Sequence, residues 1–345
     1  MERRASHSYD RTDGPGERSH GRKAEWPQEI PKKGWWDIAI RVKKRISNTN
    51  LSVLAAGVGF YALLSVVPGL VALISIYGLM ADPIDVENLF ASFQSVMPGE
   101  VHTLLKDQIT RISANSHAAG WGLLLGLVLA LWSGSAATKA LMQALNVAYH
   151  EDEKRGFIRF NAIALGLTLA GVASVLVSLG LIAGIPAALK FIGLESFAKT
   201  LINILRWPLL LALAMTSLAV LYRYAPSREE PKWRWVTWGA VLATLLWVGG
   251  SALFSLYVSH FGNYNKTYGS LGAIVVVLLW LYLTGFAILL GAQINAEMEH
   301  QTAKDSTTGR PKPMGNRGAY VADTVGEKSD EHDEEKEKRE ERNSR

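Results

Sequence analysis

Apolar side chains gather in six long runs between residues 51 and 296, each followed by a polar stretch. A helix needs roughly 20 apolar residues to cross a bilayer's hydrocarbon core. The runs are Leu51–Met80, Gly120–Leu141, Ile158–Ala183, Ile204–Tyr224, Val236–Ser259 and Ser270–Ala296. They are too long for barrel strands and lack a strand's alternation. The pattern therefore predicts an all-α membrane protein, a bundle of six transmembrane helices. Pro68 predicts a kink in the first span. Gly184 and Pro186 predict the stop of the third, and Trp207-Pro208 lies near the start of the fourth.

Shorter segments show helical spacing without the length to span. Before the first run, Trp35, Ile38, Val42 and Ile46 recur on one face, opposite much of the Arg41–Arg45 cluster. This predicts an interfacial amphipathic helix, with Trp at headgroup level and basic groups towards anionic lipid. A plain basic flank without defined structure is the alternative. Between the first two spans, Val86, Leu89, Phe90 and Phe93 form one stripe. Val101, Leu104, Leu105, Ile109 and Ile112 form another after Pro98-Gly99. They predict two short helices, either a lid over a pathway or a structural cap.

Charge sets the domain limits and the orientation. Residues 1–30 carry six basic and six acidic side chains, and residues 301–345 carry ten and eleven. Such segments bury too little apolar surface to offset the entropy of ordering. Both are expected to be disordered cytoplasmic tails flanking a membrane domain over 31–300, with Glu327–Arg345 a solvated run. Lys and Arg number fourteen before the first span and around the second-to-third and fourth-to-fifth connections, against six in the opposite connections. That bias places both termini in the cytoplasm. The first apolar run begins near Leu51, too late and too long for a cleavable signal peptide.

The net charge of +5 is modest and does not argue for nucleic-acid binding. Membrane lipids are the expected partners, with protein partners and oligomeric state left open. The chain has no Cys, so thiolate chemistry is excluded. No G-x-x-x-x-G-K-[ST] loop is present, so any transport is passive, ion-coupled or driven by a partner. No cofactor, metal or catalytic residue is expected.

Polar residues within spans point to function or to packing. In the fifth span Thr244, Ser251, Ser255 and Ser259 share one helical face. In the second, Ser135, Lys139 and Gln143 follow at four-residue spacing, as do Gln293 and Glu297 in the sixth. Together they could line a polar pathway open to the cytoplasm, with Lys139 and Glu297 as charge partners. The bland alternative is that the hydroxyls pack between helices and Lys139 only snorkels. The fifth-to-sixth connection holds Phe261, Gly262, Asn263, Tyr264, Asn265, Tyr268 and Gly269, a tight outer turn in which Asn and Gly accept left-handed backbone.

Several ordered motifs carry a resemblance. Ala55-Ala56-Gly57-Val58-Gly59-Phe60-Tyr61-Ala62-Leu63-Leu64-Ser65 with Pro68 resembles the first-span signature of the YihY/virulence factor BrkB family. Leu131-Trp132-Ser133 leading to Ala140–Asn146 resembles its second, and Ser255–Ala273 its most recognisable stretch. That stretch continues through Leu279-Trp280-Leu281-Tyr282 to Leu290–Glu297. The resemblance covers about residues 34–300. It implies a bacterial inner-membrane protein with six spans, a role in envelope integrity, and a part in moving lipid or lipopolysaccharide precursors. A non-transporting scaffold is the other reading. A ribonuclease label once given to some members finds no support in these residues: the eight His are scattered, with no His-x-His pair.

Overall fold

The computed structural model describes residues 19–78, 120–184, 196–260 and 270–329. The two outer-loop helices expected within 81–119 and the outer turn at 261–269 lie outside these residues.

Six helices of 23 to 30 residues form the body: α2 (Leu51–Gly78), α3 (Gly120–Ala148), α4 (Phe157–Leu179), α5 (Ser196–Tyr224), α6 (Trp233–His260) and α7 (Ser270–Glu299). A shorter α1 (Lys32–Asn48) precedes them and a single turn, α8 (Tyr320–Asp323), follows. By length and composition, Phe157–Ile182, Ile204–Tyr224, Trp233–Ser259 and Ile274–Glu299 can each cross a membrane, and the bent pair α1–α2 can make a fifth.

The helices close into a ring. α3 packs on α2, α2 on α7, α7 on α6, α6 on α5, α5 on α4 and α4 on α3, while α7 also touches α1 and α3. Glycines allow the tightest crossings, because a backbone without Cβ lets its neighbour approach. A Cβ on Gly59 of α2 would sit 3.1 Å from the Tyr282 nitrogen of α7. One on Gly291 of α7 would sit 2.5 Å from the Tyr222 hydroxyl and 2.7 Å from the Gly239 carbonyl of α6.

α2 runs through Pro68 and α5 through Pro208. The sharp bend, 63°, comes between α1 and α2, where Asn50 takes a left-handed φ of 49°. Asn accepts that conformation more readily than most residues. α4 ends at Leu179 and passes into one π turn, Gly180–Gly184. α3 continues past Leu141 to Ala148 because Met142, Leu145 and Ala148 are buried in the main core with Tyr149, Tyr222 and Leu289.

Two sequence expectations need correction. The stripe on α1 exists, but Ile38 and Val42 are buried against Trp235, Met298, Ala24 and Ile30. The protein itself covers this face, and Trp36, at 65% exposure, is the side chain that points away. Residues 301–329, expected within a disordered tail, pack onto the bundle with residues 20–30. Val321 and Ala322 are buried with Thr302, Ser306 and Thr307. Hydrogen bonds hold this layer: Arg317 donates to the carbonyls of Ala322, Ala303 and Lys312, and Ala303 N donates to Arg22 O at 2.8 Å. Satisfied polar groups, more than apolar area, order the segment.

Candidate functional site

The polar residues expected to share one pathway do not converge. Thr244 is buried and its hydroxyl donates to the Ala240 carbonyl of its own helix at 2.8 Å. Ser135 does the same to Trp132 O at 2.6 Å. Gln143 is exposed. Lys139 lies over the Trp132 ring, 4.1 Å from its centroid, about two helical turns away. It is not the partner of Glu297. Gln293 is fully buried, and neither amide atom has a hydrogen-bond partner among the described residues.

Glu297 belongs instead to a buried network where α1, α7 and the terminal layer meet. Arg41 Nε donates to Glu297 Oε2 at 2.6 Å, and its Nη2 donates to Gln301 Oε1 at 2.6 Å and to the Glu297 carbonyl at 3.1 Å. Gln301 Nε2 donates to Asp37 Oδ2 at 3.2 Å, and Asp37 pairs with His20 at 2.6 Å and accepts from the Ser329 hydroxyl at 2.7 Å. A second pair, Arg228 with Glu299, is completely buried, and Ser306 donates to the same carboxylate. Charges survive such burial only when paired and hydrogen-bonded. Beside the first pair lies His150, stacked 4.9 Å from the Tyr320 ring and 3.9 Å from Glu297. Burial first, then the charge of Arg45, pushes its pKa down to about 4.

Sequence reasoning missed this network. Arg41 read as one more basic flank residue, and Asp37 is the single acid of an otherwise basic helix. The spacing Glu297, Glu299, Gln301 beyond the last apolar run was the available signal.

The remaining predicted hydroxyls lie together at the other end of the bundle. Ser251, Ser255 and Ser259 of α6, with Val276 and Trp280 of α7, line an open groove of about 420 Å³. Trp280 Nε1 donates to Ser251 Oγ at 3.2 Å. Ser251 also borders an adjoining apolar pocket of about 110 Å³, floored by Leu246, Gly250, Leu283, Phe286 and Leu290. A Cβ on Gly250 would meet nothing within 4 Å, so the missing side chain leaves room there. Chemically, this is a hydroxyl-lined mouth over an apolar floor, opening sideways between two helices. Among the described residues, no group of three His, Asp or Glu side chains could hold a metal ion.

Residues 42–315 match the family described as virulence factor BrkB. The putative ribonuclease-like protein YfkH of Bacillus subtilis is 33% identical over 247 residues, 70% of this chain and 88% of that protein. A UPF0761 membrane protein of Idiomarina loihiensis is 26% identical over 266 residues, 74% of this chain and 88% of its own. Another from Vibrio parahaemolyticus is 28% identical over 265 residues, covering 75% and 81%. No solved structure matches the chain.

Proposed function

The chain belongs to the virulence factor BrkB family, and from that premise we propose that it is a six-span protein of the bacterial inner membrane that binds an amphiphile in the groove between α6 and α7 and carries it between leaflets. Both termini and the buried polar network face the cytoplasm in this reading. The basic flanks before the first span and around the α3–α4 and α5–α6 connections support that orientation. Envelope integrity is the physiological consequence, and lipids or lipopolysaccharide precursors are the class of cargo. No catalytic step is involved.

The observation that carries the reading is the groove's polarity. Ser251, Ser255 and Ser259 meet a ligand's polar part, and the pocket floored by Leu246, Phe286 and Leu290 meets its apolar part. Binding sites of this kind combine an apolar lining with a few placed polar groups. Lateral opening lets a lipid enter from the bilayer rather than from water.

Single Cys substitutions at Ser255 and Ser259, with Leu253 (70% exposed) as the bilayer-facing control, test this in a chain that has no Cys of its own. A membrane-impermeant thiol reagent reacts where water supports the thiolate. Labelling at 255 and 259 but not at 253 supports the groove. Protection at both, with a loop residue labelled normally, favours a scaffold. That second reading draws on Thr244 and Ser135, whose hydroxyls are spent on their own helix backbones.

A further inference from the structure

A second cavity, of about 510 Å³, lies at the opposite end of the molecule from the groove, where the α3–α4 and α5–α6 connections meet. Lys154, Arg155, Arg159 and Arg223 line it, with Arg228 behind them and Glu229 and Glu230 on its wall. These cations differ in what they already do. Arg155 is held by Glu153 at 2.7 Å and donates to the Ala225 carbonyl at 2.8 Å, and Arg228 is locked to Glu299. Arg223 pairs with Glu230 at 2.8 Å and donates to the Pro231 carbonyl, and its buried Nε has no hydrogen-bond partner among the described residues. Lys154 reaches Glu151 but is 61% exposed. Arg159 is exposed and makes no ion pair among the described residues.

The setting fixes what kind of anion could arrive. Arg159 stands in the first turn of α4, next to Phe157 and Ile158, which are 75% and 83% exposed. The turn's N-cap is Gly156, with no side chain to satisfy the free N–H groups. Those groups and the helix dipole favour a negative ligand. Tyr224 and Trp233 flank Arg223, their rings 5.4 and 4.7 Å from its guanidinium carbon. Exposed aromatic and aliphatic side chains beside cations mark the depth at which lipid phosphates sit.

We infer that this cavity is a phosphate-binding site at the membrane surface, in which Arg159 and Lys154 grip the anion and Arg223, held by Glu230 and the Pro231 carbonyl, adds positive charge to the wall, the ligand being the phosphate of an anionic lipid headgroup or of a soluble phosphate ester. It does not depend on the groove reading, and its failure would leave the thiol-labelling result at Ser255 untouched.

The test uses the purified full chain and native mass spectrometry with phosphatidylglycerol and phosphatidylcholine, each with and without millimolar glycerol phosphate. The variant is Lys154→Ala with Arg159→Ala. Both side chains are exposed, and equal melting temperatures check folding. Each cation near a phosphate contributes about a fivefold change in affinity, so the double variant should bind phosphatidylglycerol roughly thirtyfold more weakly. Arg159→Lys alone should retain most binding, since the charge remains. Retention of phosphatidylglycerol against glycerol phosphate assigns the site to lipid. Displacement by glycerol phosphate, lost in the double variant, assigns it to a soluble phosphate. Equal adducts in wild type and double variant, with no effect of glycerol phosphate on either, would overturn the site.

Discussion

Arg41 and Glu297, 256 residues apart in sequence, meet at 2.6 Å in a buried contact that ties α1 to the end of α7. The same guanidinium also reaches Gln301 and the carbonyl of Glu327, so one side chain fastens α1, α7 and the segment beyond α7. Removing one partner leaves the other charged and buried. Arg41→Met should therefore cost about 3–5 kcal/mol. The double variant Arg41→Met with Glu297→Leu should cost less than either single change, because no lone charge remains. Thermal unfolding in detergent, compared across the four chains, checks both statements.

Val321 is fully buried in the core although it stands in a segment rich in Gly, Pro and charge. Val321→Asp puts an unpaired carboxylate there and should lower stability by about 2–4 kcal/mol. The neighbouring Tyr320→Ala removes the ring stacked on His150 and should cost less, because Tyr320 is 45% exposed. A chain ending at His300 should melt well below one ending at Ser329.

His150 supplies a pH dependence of known sign. Its pKa is about 4 in the fold, against about 6.5 unfolded. Between those values the unfolded chain binds the proton and the folded chain does not, so stability falls as pH drops from about 6.5 to 4. The carboxylates act in a lower window. Burial raises the pKa of Glu153, but its hydrogen bonds with Arg155 outweigh this and hold it at about 2. The stability it adds is lost only below the ordinary carboxylate range. His150 has a left-handed φ of 59°, which Asn tolerates. His150→Asn should flatten the melting temperature between pH 6.5 and 4 and leave the steeper loss below pH 4 in place. Melting curves across that range, for both chains, decide it.

The long apolar runs were legible in the sequence because the bilayer selects them by length alone. The starts at Leu51, Gly120 and Ser270 were legible too, but the continuation of the second run past Leu141 was not. Met142–Ala148 carries Gln143 and Asn146, which interrupt the apolar run, yet Asn146 is buried and accepts from Ser227 N at 2.7 Å. That contact joins the end of α3 to the α5–α6 connection, 81 residues away in sequence, a distance no local pattern encodes. The segment 301–329 has the composition of a disordered tail, and composition counts apolar area. It cannot count Arg317, whose guanidinium satisfies three carbonyls within the folded layer. For the site, the shared face of Ser251, Ser255 and Ser259 was readable from helical periodicity. Helical periodicity could not show that Thr244 and Ser135 turn their hydroxyls to their own backbone, nor that Glu297 belongs to Arg41.

The groove between α6 and α7 is the central claim, and photo-crosslinking tests it most directly. A photoreactive amino acid at Ser255 would be compared with one at Leu253, on chains purified from membranes and washed through a change of detergent. The groove reading predicts that residue 255 captures a lipid that survives the wash and that residue 253 captures none. Filling the floor with Gly250→Leu should abolish the capture at 255. Equal capture at both positions, unchanged by Gly250→Leu, would mean that Ser255 faces ordinary bilayer and would contradict the account.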